Sequence, residues 1–188
     1  RITRYACELA KKRDEDTVTV VSKSNAVSAL YGFFEENAKR VMADEYPELK
    51  YAMVNVDALC YHLVRNPAAY GVLLCPNLFG DIISDLQAGL AGGLGTAAGG
   101  NIGDGLSMFE PVHGSAPDIA GTGRANPVAA ILSGALMLEH LGEADASKTV
   151  NSAVSDFLEN ALESELPFEF GGKASFEEVG EKIRKYIR

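Results

Sequence analysis

Tryptophan is absent, cysteine occurs three times, and 17 Lys and Arg face 26 Asp and Glu, a net charge of −9 over 188 residues. Each shortage excludes something. The deficit of positive charge argues against sequence-independent nucleic-acid binding, which needs a basic face to neutralise phosphates. Cys7, Cys60 and Cys75 are odd in number and widely spaced, with no CxxC pair. No disulfide framework is expected; free thiols in a reducing compartment are, in the cytoplasm or an organelle matrix. No apolar run approaches the roughly 20 residues of a membrane span, so no membrane association is expected, and no secretory signal pattern opens the chain. Internal repeats and low-complexity tracts are missing, and no GxGxxG follows a strand, so a Rossmann fold is not expected. What is present, 47% apolar residues and 19 glycines, is an ordinary globular composition. It suffices for one sizeable core and part of a second domain.

Periodicity orders the chain. Arg1 to Leu9 has helical spacing at Ile2, Tyr5, Ala6 and Leu9 with no N-cap and no initiator Met ahead of it, so the true N-terminus is expected to lie further upstream. The β-branched run Thr17–Val21 predicts a strand, Leu30–Tyr46 a helix closed by Pro47, and Tyr51–Val56 a second strand with Asp57 at its exit. Ala58–Val64 predicts a helix, Gly71–Cys75 a buried strand and Gly80–Leu90 another helix. A Gly/Ala-rich segment, 92–105, follows. Pro127–Leu141, Ala144–Glu163 and Ser175–Ile187 read as three further helices, with Ser175 and Glu178 spaced as a capping box. Strands alternating with helices predict a layered α/β fold.

Two stretches carry chemistry. In Asn77-Leu78-Phe79-Gly80-Asp81-Ile82-Ile83-Ser84-Asp85, the two aspartates are four residues apart and share one helix face. They serve either as helix-start acids complementing the dipole or, since like charges at this spacing repel, as ligands for a hard divalent cation. The second stretch, 108–127, packs Gly, Pro, Ser, Asp and Asn into a loop between a strand-like run and an apolar helix. It is either structural, with a satisfied His113, or a presenter of backbone N–H groups and the Asp118 carboxylate to a nucleotide. An Asp there accepts ribose hydroxyls and repels a 2′-phosphate, which favours NAD. Alone, Lys23 reads as a solvated strand-end lysine and Asp57 as a loop acid; His62 and His140 read as surface or helix residues.

Together these stretches resemble the β-decarboxylating dehydrogenases: the isocitrate, 3-isopropylmalate, homoisocitrate and tartrate dehydrogenases. Asn77–Asp85 matches the family signature almost letter for letter and Phe109–Pro127 its nucleotide loop. Ser22-Lys23-Ser24-Asn25 is similar to the segment carrying the catalytic lysine, and Arg1–Leu9 to the helix after the dimer-forming arm. The resemblance spans essentially the whole chain. It implies the isopropylmalate/isocitrate dehydrogenase-like α/β fold, not Rossmann, with its N-terminal part missing. Residues 1–91 would then be a central, dimerising portion and 92–188 part of a nucleotide-binding domain.

By the same resemblance Asp57, Asp81 and Asp85 are ligands for Mg²⁺ or Mn²⁺, and Lys23 and Asp57 are catalytic. Lys23 and Asp57 come from the neighbouring subunit, so a complete site needs a homodimer or larger homo-oligomer. His113, Gly114, Ser115, Ala116, Asp118 and Ile119 line the NAD pocket, Asn126 meets the adenine, and Glu110 lies near the nicotinamide ribose. The implied activity is NAD-dependent oxidative decarboxylation of a 3-substituted malate, with 3-isopropylmalate, isocitrate and homoisocitrate left open. As a base, Lys23 needs its ordinary pKa of about 10.4 lowered by burial or adjacent positive charge. The arginines that grip substrate carboxylates and the proton-donating tyrosine are expected upstream of Arg1. A non-catalytic regulatory subunit or a dimerising fragment of the same fold is the alternative.

Overall fold

A computed structural model describes residues 1–187, which divide into two compact units, Arg1–Gln87 and the chain from Ala88 onward. In the first unit α1 (Ile2–Lys12) leads into β1 (Thr17–Ser22), a run of β-branched residues that pleats readily. A single turn of π-helix over Ser28–Gly32 opens α2 (Phe33–Glu45), where the sequence predicts one continuous helix from Leu30. β2 (Lys50–Asn55), α3 (Val56–Arg65), β3 (Val72–Leu74) and α4 (Asn77–Leu90) follow.

The three strands form a parallel sheet in the order β2-β1-β3, with Val18 opposite both Tyr51 and Val72. Alternation along β1 sends Val18 and Val20 to one face, against Ala6 and Cys7 of α1 and Met42 of α2. Val21 goes to the other, against Leu59 and Leu63 of α3 and Phe79 and Ile83 of α4. A parallel sheet must be covered on both sides, because crossover helices return across its faces. Burying each of the Val, Leu, Ile, Met and Phe side chains among these contributes about 1.5–3 kcal/mol.

The second unit pairs β4 (Ala98–Ile102) with β5 (Ser107–Pro111) in an antiparallel hairpin. On it packs α5 (Val128–His140), which in turn packs against α6 (Ala144–Asn160), and α6 against α7 (Phe176–Tyr186). Val128, Phe157, Val179 and Ile183 are the centre of this core. The capping box forms: the Glu178 N–H donates to Ser175 Oγ at 3.3 Å and the Ser175 N–H to Glu178 Oε2 at 2.8 Å. Cys7, Cys60 and Cys75 are free thiols. Among the described residues no helix is long and apolar enough to cross a membrane.

Candidate active site

In a parallel α/β sheet the crevice beyond the carboxyl ends of the strands is the usual ligand site, since helices there start with free N–H groups and loops there are free to vary. The first unit places its candidate residues beyond that edge. β1 ends at Ser22, which is buried and accepts the Ser24 N–H at 3.2 Å, so the turn that presents Lys23 is tied to the strand end. β2 ends at Asn55, not Val56, and Asp57 lies in the first turn of α3. Beyond β3, α4 begins at Asn77 directly after Pro76 and carries Asp81 and Asp85.

Lys23 Nζ donates to Asp57 Oδ1 at 2.5 Å. The lysine is 26% exposed and the aspartate 67%, so the pair stands at the surface with the lysine stem packed. The Asp57 carboxyl is held below the ordinary aspartate range, first by Lys23 and then by the N–H groups of Asp57 and Ala58 at the helix start. The immediate neighbour of Lys23 Nζ is thus an anion.

Asp81 and Asp85 are exposed, and although the Asp81 main-chain carbonyl accepts from Ser84 Oγ at 3.0 Å, neither carboxylate has a hydrogen-bond or ion-pair partner among the described residues. α4 starts three residues earlier than Gly80, so no acid lies in its first turn. That removes the helix-dipole reading of the pair, whose benefit fades beyond one turn. Two unpartnered carboxylates on one helix face are the hard oxygen donors that Mg²⁺ or Mn²⁺ takes. Within one chain Asp57 does not join them: no group of three His, Cys, Asp or Glu could hold a metal ion among the described residues. His62 packs its ring against Tyr61 and Tyr70, and His140 against Phe109.

The second unit contains two adjoining hollows, of about 470 Å³ and about 640 Å³, around the loop after β5. Both are of small-molecule size, and both are lined by His113, Gly114, Ala116 and Ile119. Ser115 lines the larger and Asn126 the smaller, while Glu110 and Asp118 line neither. Glu110 instead accepts from Asn101 Nδ2 at 3.3 Å across the hairpin, and the Asp118 carboxylate is exposed in the short turn Pro117–Ile119.

Local bonds hold this loop. His113 Nδ1–H donates to the Gly114 carbonyl at 2.8 Å, and since a carbonyl only accepts, the proton sits on Nδ1. Ala116 adopts the left-handed conformation at φ 45°, which costs a residue with a β-carbon about 1–2 kcal/mol. The Phe176 N–H donates to the Gly123 carbonyl at 2.9 Å, tying the far side of the loop to α7.

The smaller hollow also has walls that the sequence reading missed: Leu94, Gly95, Arg124, Phe168 and Glu169. Arg124 lies 4.6 Å above the Phe168 ring, and Glu169 bonds both Gly95 and Asn126. These residues come from segments far apart in sequence, and the composition of the 161–174 stretch gives no sign of a site.

A family model described as isocitrate/isopropylmalate dehydrogenase matches residues 1–183. The chain is similar to the 3-isopropylmalate dehydrogenase of Archaeoglobus fulgidus, 47% identical over 82% of the chain and 47% of that protein. It is also similar to the isocitrate/homoisocitrate dehydrogenase of Thermus thermophilus, 45% identical over 100% of the chain and 55% of that protein. Among solved structures it resembles isocitrate dehydrogenase from Methylococcus capsulatus, with a TM-score of 0.92 and 41% identity over 99% of this chain and 55% of that one. The chain spans about half the length of the curated relatives it matches. By sequence over nearly its whole length and by fold, it belongs to the isocitrate/isopropylmalate dehydrogenase family.

Proposed function

We propose that the protein carries out NAD-dependent oxidative decarboxylation of a 3-substituted malate, with 3-isopropylmalate, isocitrate and homoisocitrate as candidates. One observation carries the reading most: Lys23, Asp57 and the Asp81/Asp85 pair each follow the carboxyl end of one strand of the same parallel sheet. Similarity to enzymes named for these substrates supports it.

Asp81 and Asp85 would hold Mg²⁺ or Mn²⁺ on one subunit, with Asp57 reaching them from a second copy in a dimer. The metal would polarise the substrate's hydroxyl and carboxylate as a Lewis acid and stabilise the enolate left by loss of CO₂. NAD would accept the hydride from C2. Lys23 would take the C2 hydroxyl proton at Nζ as the neutral amine, for which it must leave Asp57 and give its own ammonium proton to solvent; engagement of Asp57 as a ligand would free it from that contact. Residues 1–91 would supply this chemistry and 92–188 the nucleotide site. There the loop 113–119 and Asn126 would hold NAD, with the Asp118 carboxylate toward the ribose hydroxyls, repelling a 2′-phosphate. Glu110 would approach the nicotinamide ribose.

The test is NADH formation by the purified protein with Mn²⁺ or Mg²⁺, offering each acid in turn. Turnover with one acid, abolished by a chelator, is expected. Silence with every acid from protein that binds NAD would favour a non-catalytic regulatory or dimerising role.

A further inference from the structure

We infer that Glu169, outside the nucleotide loop, is a positioning residue that fixes the Asn126 amide and the Gly93–Gly95 turn and thereby governs binding of the adenosine part of a dinucleotide. The inference rests on the nucleotide reading of the hollow proposed above.

Glu169 lies in a short 3₁₀ turn, Phe168–Phe170, and reaches two other segments. Its Oε1 accepts the Gly95 N–H at 3.1 Å, and its Oε2 accepts from Asn126 Nδ2 at 2.8 Å. The other end of the same amide is also engaged, because Asn126 Oδ1 accepts the Val128 N–H at 3.1 Å. A carboxylate only accepts and a backbone N–H only donates, so the amide has one orientation; the flipped form would set oxygen against oxygen and nitrogen against nitrogen. One Nδ2 hydrogen and one Oδ1 lone pair are left. That neighbouring donor and acceptor is the pair with which asparagine reads the N6/N7 edge of adenine.

The turn is shaped for the carboxylate. A β-carbon at either Gly93 or Gly95 would overlap Glu169 side-chain atoms, and Gly93 has φ 137°, a conformation open to glycine. Arg124, the cation lining the hollow, lies over Phe168, and among the described residues no cation pairs with Glu169. The carboxylate is thus bound by N–H donors alone, which makes it sensitive to the loss of either.

The test titrates the purified protein calorimetrically with ADP-ribose and, separately, with nicotinamide mononucleotide. Glu169→Gln keeps the shape but turns an N–H toward one donor. It is expected to weaken ADP-ribose about tenfold and leave the mononucleotide unchanged. In turnover it should raise KM for NAD with kcat within about twofold. Gly95→Ala, whose β-carbon would meet both the Glu169 carboxylate and Asn126, should give the same pattern without altering charge. Folding of each is checked by circular dichroism. Unchanged ADP-ribose affinity in both variants would overturn the inference, as would equal losses for both probes with a lowered melting temperature, the mark of a merely structural role. A wild-type protein that binds neither probe would overturn the nucleotide reading itself.

Discussion

The two units build their candidate sites by opposite means. In the first, the candidate side chains follow the carboxyl ends of the strands, and the carboxylates on α4 are exposed and unpartnered. In the second, the walls of the smaller hollow come from loops that bond to one another, as at Asn126, bonded at both ends of its amide. A cation site has to leave its charges unsatisfied, and a helix can afford that at the surface because its own backbone bonds stay intact. A nucleotide site made of loops has no such scaffold, and its shape depends on every internal bond.

Disabling the first site should therefore abolish chemistry without disturbing the fold. Asp85→Asn removes one member of an exposed pair, so melting should be unchanged while metal-dependent NADH formation falls by roughly a thousandfold, on the order of the several kcal/mol a Lewis acid supplies. Unchanged turnover would remove Asp85 from the metal site. The second unit should respond through its packing. Phe157 is buried at the centre of the α5–α6–α7 core, and Phe157→Ala should cost about 3–5 kcal/mol in a denaturant titration. Nucleotide affinity should fall with it, because α5 takes over where the loop ends and α7 ties the loop at Gly123.

A smaller change sharpens the comparison. Asp118→Lys leaves both cores untouched and should move cofactor preference from NAD toward NADP by at least about tenfold, since a carboxylate and a phosphate about 4 Å apart repel by roughly 1–4 kcal/mol near a protein surface. Equal preference before and after would place Asp118 away from the ribose. The smallest effect is expected at Glu165, which accepts from Lys182 Nζ at 2.6 Å. Lys182 first, and then the Leu162 N–H, hold this carboxyl below its ordinary value of 4.5. Its titration is depressed on folding, so its stabilisation is full above that value and is lost as pH falls through the native one. The stability difference between wild type and Glu165→Gln, measured by thermal melts across that range, should shrink as pH falls from 6 toward about 3.

The contrast between the units also explains what could be read from sequence. β1 announces itself as a β-branched run, and the alternation of its valines requires helices on both faces. Asp81 and Asp85 are paired by a helical spacing that needs no tertiary information. The start of α4 is less legible, because Gly80 and Pro76 each mark a break. Pro76 stands immediately before the helix, where its missing N–H is not needed, and its carbonyl accepts the Gly80 N–H at 2.9 Å. The β4–β5 hairpin has no local signal on its β4 side: Ala98-Gly99-Gly100-Asn101-Ile102 contains a single β-branched residue, and pairing with Ser107–Pro111 imposes the strand. The two glycines matter through close approach, since a β-carbon at Gly99 would stand 3.2 Å from the Glu110 carbonyl oxygen and one at Gly100 3.2 Å from the Phe109 ring. Glu169 was invisible for the same reason, being tied to Gly95 and Asn126 through space and not through any period.

In the proposed reading, the carboxyl-edge residues of one chain complete the metal site of another. Mixing two inactive variants, Asp57→Asn and Asp85→Asn, under conditions that exchange subunits tests it most directly. If Asp57 acts across a two-fold interface, each hybrid dimer regains one intact site, and random exchange should restore about a quarter of wild-type activity. Hybrid dimers that form, as shown by native mass spectrometry, yet stay as inactive as either parent would contradict it.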